Sequence, residues 1–175
     1  MNSHGVYFYE EDMFLIDNVA HFVKEGLEQK ETVIVVATAE HRTDLKTTLM
    51  ADNVIGLLAP SGNYLTLDAS TTLSLFMLNG WPDEQLFLKV IGRIIGSAAA
   101  AGTRVRIYGE MVALLWAERN HLAAIHLERL WNKLAMQRDF SLLCGYPSFA
   151  FQGPNMDFAF QDVCACHSQI TGRRA

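Results

Sequence analysis

The sequence predicts a three-layer α/β/α sandwich around a mainly parallel central sheet of about five or more strands. Three observations carry this. Short β-branched or aromatic runs alternate along the chain with longer segments of helical periodicity. The run Thr32 to Ala37 (TVIVVA) is apolar without alternation, as a strand covered on both faces requires. Half of the 175 residues are hydrophobic and 19% are charged, a balance that fills one core and argues against disorder.

The elements follow in order. Gly5 to Tyr9 (GVYFY) reads as the first strand. Residues 11 to 29 place Phe14, Leu15, Val19, Phe22, Val23 and Leu27 on one helical face, with Gly26 near its end. Thr32 to Ala37 is the second strand, and Glu40 to Met50 a short helix. A turn at Pro60-Ser61-Gly62-Asn63 leads into a third strand, Tyr64 to Leu67. Asp68 to Leu78 reads as helical, capped by Asp68 or Ser70. Gly80-Trp81-Pro82-Asp83 breaks the chain, and Asp83 then caps a long helix to Ala101 that stops at Gly102. Arg104 to Tyr108 is the fourth strand, followed by helices at Met111 to Ala117 and Asn120 to Met136. Phe140 to Cys144 is the fifth strand, ending at Gly145-Tyr146-Pro147, and a helix around Asp157 to Ser168 comes last. Parallel pairing with right-handed crossovers is expected. No repeat, low-complexity segment or dividing linker interrupts residues 1–175, so one domain is expected.

Charge and composition exclude several classes. A net charge of −5, with Arg173-Arg174 as the one basic cluster, disfavours direct nucleic-acid binding. No apolar run reaches the roughly 18 residues of a membrane span, and no signal peptide is visible. With three cysteines, Cys144, Cys164 and Cys166, the expectation is a cytoplasmic protein with reduced thiols.

Ligands of open parallel sheets bind beyond the carboxyl ends of the strands. Here that rim would gather Glu10, Glu40 with His41, Asp68, Glu110, and Cys144 with Tyr146. A nucleotide site fails its chemical test. After TVIVVA the chain reads Thr38-Ala39-Glu40-His41-Arg42-Thr43-Asp44, with no glycine, no lysine in place, and an acid that repels phosphate. The phosphate-binding loop is therefore absent or degenerate. Neither a dinucleotide fingerprint, a zinc-protease H-E-x-x-H nor a G-x-S-x-G elbow is present. Glu110 could bind a metal, activate water or pair with a cation; the plainer reading, an acid at a helix N-terminus, carries somewhat more weight. Trp131 reads as core, and Glu128 with Asn132 reads as an ordinary polar pair or a brace for the Glu110 loop. Cys144 ends an apolar strand, where most cysteines are inert. Cys164-Ala165-Cys166-His167 lacks a second ligand cluster, so no metal is expected there. A pairing of His167 with Cys144 or with a strand-end acid stays open. The methionines read as gap-fillers, although a Met- and aromatic-lined pocket would suit a small apolar ligand.

Seven stretches together resemble a known family: His4-Gly5 with YFYEED (Tyr7 to Asp12), FVKEG (Phe22 to Gly26), VIVVATAEHR (Val33 to Arg42), RVRIYGEM (Arg104 to Met111), LERLWNKL (Leu127 to Leu134), SLLCGYP (Ser141 to Pro147) and VCACHS (Val163 to Ser168). RVRIYGEM, LE-x-x-WN and LLC-x-YP in this order are the specific part. The chain resembles the MEDS domains, methanogen and methylotroph sensory modules, over nearly its whole length. The resemblance implies a fold related to RecA-like and circadian-clock ATPases without their phosphate loop. It implies signal-input duty, a small hydrocarbon derivative as ligand, and a partner such as a histidine kinase or transcription regulator. Carried onto this chain, it makes His4, Glu110, Cys144 and His167 candidate ligand-binding residues, with Glu10 and Tyr146 as weaker additions. No catalytic residue, metal or cofactor is expected. A homodimer is compatible with sensing. The alternatives are a protein-interaction domain derived from an ATPase, and an enzyme using Glu110 with Cys144 or His167.

Overall fold

In TVIVVA, Val33, Val35 and Ala37 enter one hydrophobic cluster while Ile34 and Val36 enter another. A strand's side chains alternate between its two faces, so this strand is buried on both sides and must sit inside a layered fold. The computed structural model describes residues 3–54, 62–100, 102–153 and 156–172. Parts of the Pro60–Asn63 turn, Ala101 and Arg173-Arg174 lie outside them.

The strands are β1 (His4–Tyr9), β2 (Thr32–Ala37), β3 (Tyr64–Asp68), β4 (Met77–Leu78), β5 (Trp81–Pro82), β6 (Val105–Gly109), β7 (Phe140–Pro147) and β8 (Gln169–Gly172). The helices are α1 (Asp12–Glu28), α2 (Ala39–Ala51), α3 (Ala69–Ser74), α4 (Glu84–Ala99), α5 (Met111–Ala117), α6 (His121–Ala135) and α7 (Met156–Ala165), with a 3₁₀ turn at Ser148–Phe151. Six strands form one parallel sheet in the order β3-β2-β6-β7-β1-β8. Helices α1 and α2 cover one face. Residues of α3 to α7 pack against the other. This is the expected three-layer sandwich.

Local chemistry explains the helix starts. Asp83 Oδ1 accepts from Leu86 N at 2.8 Å, and Asp68 Oδ1 from Thr71 N at 2.8 Å; each side chain satisfies a backbone donor left over at a helix start. Gly102 has φ +75, the left-handed conformation that ends α4 without a Cβ penalty.

Three expectations need correction. The helix expected over 68–78 stops at Ser74, and Met77–Leu78 instead forms a hairpin with Trp81–Pro82 around Asn79 (φ 51) and Gly80 (φ 77). The last helix ends at Ala165, and Gln169–Gly172 adds an edge strand beside β1. Strand β7 does not end at Cys144. It runs on because Gly145, Tyr146 and Pro147 pair with Tyr7, Phe8 and Tyr9 of β1. The Gly-Tyr-Pro turn signal is overridden by tertiary pairing, and Cys144 therefore sits in the middle of a buried strand.

Candidate functional site

Along β7 the side chains of Leu142, Cys144 and Tyr146 point to one face, the one covered by α6 and α7. His4 opens the neighbouring strand β1, in register with Leu142. Above them passes α6, whose apolar stripe of Ala124, Leu127, Trp131 and Leu134 is interrupted by one acid, Glu128. Its side chain is 0% exposed. His167 reaches the same point from the turn between α7 and β8, and its side chain is also 0% exposed.

Glu128 is the hub. Tyr146 Oη donates to its Oε1 at 2.9 Å, and the Cys144 thiol donates to its Oε2 at 3.5 Å. His4 Nε2 lies 3.2 Å from Oε2, and His167 Nε2 lies 3.4 Å from Oε1 without hydrogen-bond geometry, so that this nitrogen has no hydrogen-bond partner among the described residues. His4 Nε2 is also 3.5 Å from Cys144 Sγ. The outer ring nitrogens are held too: His4 Nδ1 meets Asn132 Oδ1 at 2.9 Å, and His167 Nδ1 meets the Val163 carbonyl at 2.7 Å. Asn132 Nδ2 donates to the Cys166 carbonyl at 2.8 Å, which leaves Oδ1 as an acceptor for His4.

Burial alone would raise the Glu128 carboxyl, but the facing imidazoles of His167 and His4 outweigh it and hold it below the usual carboxylate range. Burial pushes the Cys144 thiol and the Tyr146 phenol well up, and the Glu128 charge adds to both. For His167 burial acts downward, yet the carboxylate wins and the imidazole is raised. His4, Glu128, Cys144 and His167 offer ligand atoms that all lie within 4.8 Å of one another. An aromatic wall adjoins them: Phe8, Trp116, Tyr146, Phe151 and Phe160, in ring contacts of 4.6 to 6.1 Å.

Glu110 belongs to a different cluster. It stands at the carboxyl end of β6 and accepts from Thr38 N at 2.8 Å, from Tyr108 Oη at 2.8 Å and from His41 Nδ1 at 2.7 Å. His41 Nε2 is 3.5 Å from Asp12. The hydrogen bond that His41 donates to Glu110 raises the His41 imidazole, and burial followed by the Glu110 charge raises Tyr108. Glu110 precedes α5 but makes no side-chain capping bond to it. Its carboxylate instead ties β6 to the start of α2. Tyr108 packs with α1 and α2, whereas Cys144 packs on the opposite face of the sheet.

The six candidates therefore separate. His4, Cys144, Tyr146 and His167 come together; Glu110 lies across the sheet; Glu10 is exposed beside a cleft of about 280 Å³ lined by Tyr7, Phe8, Tyr9, Phe14 and Gly172. The rim between Glu110 and Cys144 is not a shared site. Glu128 and Asn132 are neither a polar pair nor a brace for the Glu110 loop; each bonds into the buried cluster. Trp131 is core, edge-to-face on Phe87 at 5.1 Å. Of the C-x-C-H run, only His167 joins, while Cys164 and Cys166 stay half-buried outside. The methionines do not gather: Met111 is core, but Met13, Met50 and Met136 are exposed. The missed hub had a signal, since Glu128 interrupts an apolar helical stripe and a buried acid demands partners.

Fold and cluster together define a parallel-sheet α/β domain with a closed polar centre in its core. The family model of the MEDS domain, described as the methanogen/methylotroph, DcmR sensory domain, matches residues 3–168, and the chain belongs to that family. No curated protein and no solved structure matches it. Among the described residues no helix is long and apolar enough to cross a membrane.

Proposed function

We propose that this single sensory domain binds a small hydrocarbon derivative at the His4–Glu128–Cys144–Tyr146–His167 cluster and regulates a partner protein in the cytoplasm. Membership of a sensory family supports the signalling role. The observation that carries the binding site is the polar cluster itself, with the side chains of Glu128 and His167 out of contact with solvent and a wall of aromatic rings beside them. A short molecule with one polar head fits that chemistry, its head on the imidazoles, phenol and carboxylate and its carbon chain on the rings. Four elements converge there, including the turn that carries α7 into β8. A ligand that favours one packing of this segment over another has the differential affinity that a signal requires. The output is a change in the surface offered to a histidine kinase or a transcription regulator. Cys144, Cys164 and Cys166 form no disulfide with one another, which fits a reducing compartment.

The enzyme alternative loses support. Glu110 and Cys144 face opposite sides of the sheet, and a buried thiol held protonated is a poor nucleophile. The test is a thermal-shift screen with short alcohols, amines and other small organic compounds beside ATP/Mg²⁺. A ligand that binds only the folded state raises the melting temperature. A shift with an organic compound that Tyr146→Phe weakens and Glu110→Gln preserves supports this reading. A shift with ATP alone overturns it, and silence across the panel favours a domain that binds only proteins.

A further inference from the structure

We infer that His4, Glu128, Cys144 and His167 form a four-ligand site for one zinc-class divalent cation, which pins the α7–β8 segment to the sheet. The inference uses the cluster described above but does not depend on the sensing reading, because an ion can be held whether or not a small molecule ever binds.

The geometry comes first. Bonds of about 2.0 Å to nitrogen or oxygen and about 2.3 Å to sulfur give a tetrahedron with edges of roughly 3.3–3.7 Å. The neighbouring ligand atoms stand 3.2 Å (His4 Nε2 to Glu128 Oε2), 3.5 Å (His4 Nε2 to Cys144 Sγ), 3.5 Å (Cys144 Sγ to Glu128 Oε2) and 3.4 Å (His167 Nε2 to Glu128 Oε1) apart. These distances run to both oxygens of Glu128, and the ligand atoms of the four residues all lie within 4.8 Å of one another, so the cluster reaches a coordination shell by contracting around an ion.

The hydrogen bonds behind the ligands point the same way. His4 Nδ1 donates to Asn132 Oδ1, and His167 Nδ1 donates to the Val163 carbonyl. Both rings thus carry a proton on the outer nitrogen and, when neutral, aim the Nε2 lone pair inward. Backing acceptors of this kind fix metal-binding histidines in orientation and tautomer. A proton or a cation between them is needed to keep two lone pairs from facing a carboxylate in a dry core, and a single cation serves both rings at once. The Nε2 of His167, on a side chain that is 0% exposed, has no hydrogen-bond partner among the described residues and is the atom best placed to take a cation.

Charge and ligand type then select the ion. A divalent cation with one carboxylate and one thiolate is neutral overall, which a buried site favours. Two imidazoles, one thiolate and one carboxylate suit zinc and its neighbours and disfavour magnesium and calcium, which prefer all-oxygen shells. Binding releases the thiol proton of Cys144 to solvent, and no oxidant or reductant is needed.

The experiment is cobalt(II) substitution of the full chain, freed of metal by a chelator under reducing, anaerobic conditions. The expected result is binding of one ion per chain. It should show the strong visible bands of four-coordinate cobalt and a thiolate-to-metal charge-transfer band, and zinc should displace both. Cys144→Ser should remove the charge-transfer band. The double variant Cys164→Ala/Cys166→Ala should keep it, and this second variant assigns the thiolate even if Cys144→Ser fails to fold. No cobalt spectrum in the folded wild-type chain, or a band lost with Cys164 and Cys166, overturns the site. A cobalt spectrum with no response to organic compounds would sustain the metal site and sink the sensing reading, and the reverse pattern would do the opposite.

Discussion

Replacing Glu128 by leucine would leave two imidazoles, a phenol and a thiol facing an apolar side chain in the core. Removing one partner from a buried charged network typically costs about 3–5 kcal/mol, and Glu128→Leu should lose that much in urea unfolding. A loss within the range of an ordinary surface change would show that the cluster is not held by this carboxylate. His41 makes a prediction of a different sign. Its imidazole is raised by the hydrogen bond it donates to Glu110, with Asp12 adding to the effect. The stability from this pair is fully present below the unfolded histidine value of about 6.5 and is lost as pH rises through the raised folded value. His41→Gln should therefore cost more stability near pH ~6 than near pH ~9, read from thermal unfolding of both proteins across that range. A constant difference would mean that the ion pair contributes nothing that titrates. At this scale the sequence exposed the residue types and little else. His4, Cys144, Tyr146 and His167 were identifiable as chemistry-bearing side chains, but their meeting point depends on contacts between distant segments, as where the Ser168 hydroxyl donates to the His4 carbonyl across 164 residues.

Helix α1 lies close enough to the sheet that Gly26 has no room for a side chain. A Cβ there would stand 2.7 Å from Val33 Cγ2 and 3.0 Å from Arg106 Cδ. Helix propensity alone favours alanine over glycine in a helix by about 1 kcal/mol. Overpacking acts in the other direction by about 1–3 kcal/mol, and the rigid Val33 methyl on a central strand decides the sign. Gly26→Ala should be destabilising in chemical denaturation; a stabilised variant would show that α1 can lift off the sheet at no cost. Elements were the most legible level of this chain. Asp68 and Asp83 announced their helices because an acid before an apolar period has a mechanical role. The end of β7 was misread for an equally physical reason. Gly145-Tyr146-Pro147 carries turn chemistry, yet β1 supplies a partner for each residue, and a strand partner is invisible to local rules. Gly145 serves close approach instead, since a Cβ there would sit 2.6 Å from Tyr108 Oη.

Residues 156–172 are joined to the rest of the molecule through both packing and polar contacts. Phe160 contacts Phe8 at 4.9 Å and Phe151 at 5.5 Å, Val163 is 0% exposed, β8 pairs with β1, and His167 enters the buried cluster. A chain truncated after Gly153 should melt at least about 10 °C lower, with a broader transition. An unchanged melting temperature would make this segment an appendage. For the whole molecule, the sequence by itself determined the layered α/β class, because apolar periodicity is a local property that burial on two faces writes directly into the chain. It also showed that the residues after β2 carry neither the spaced glycines nor the lysine of a phosphate-binding loop. Only the tertiary structure decided that β8 completes the sheet, that Glu110 and Cys144 lie on opposite faces, and that Glu128 is the centre of the buried cluster. Strand order and side-chain convergence arise from contacts between distant segments, and the energy of burying a charge is set by neighbours that no local window contains.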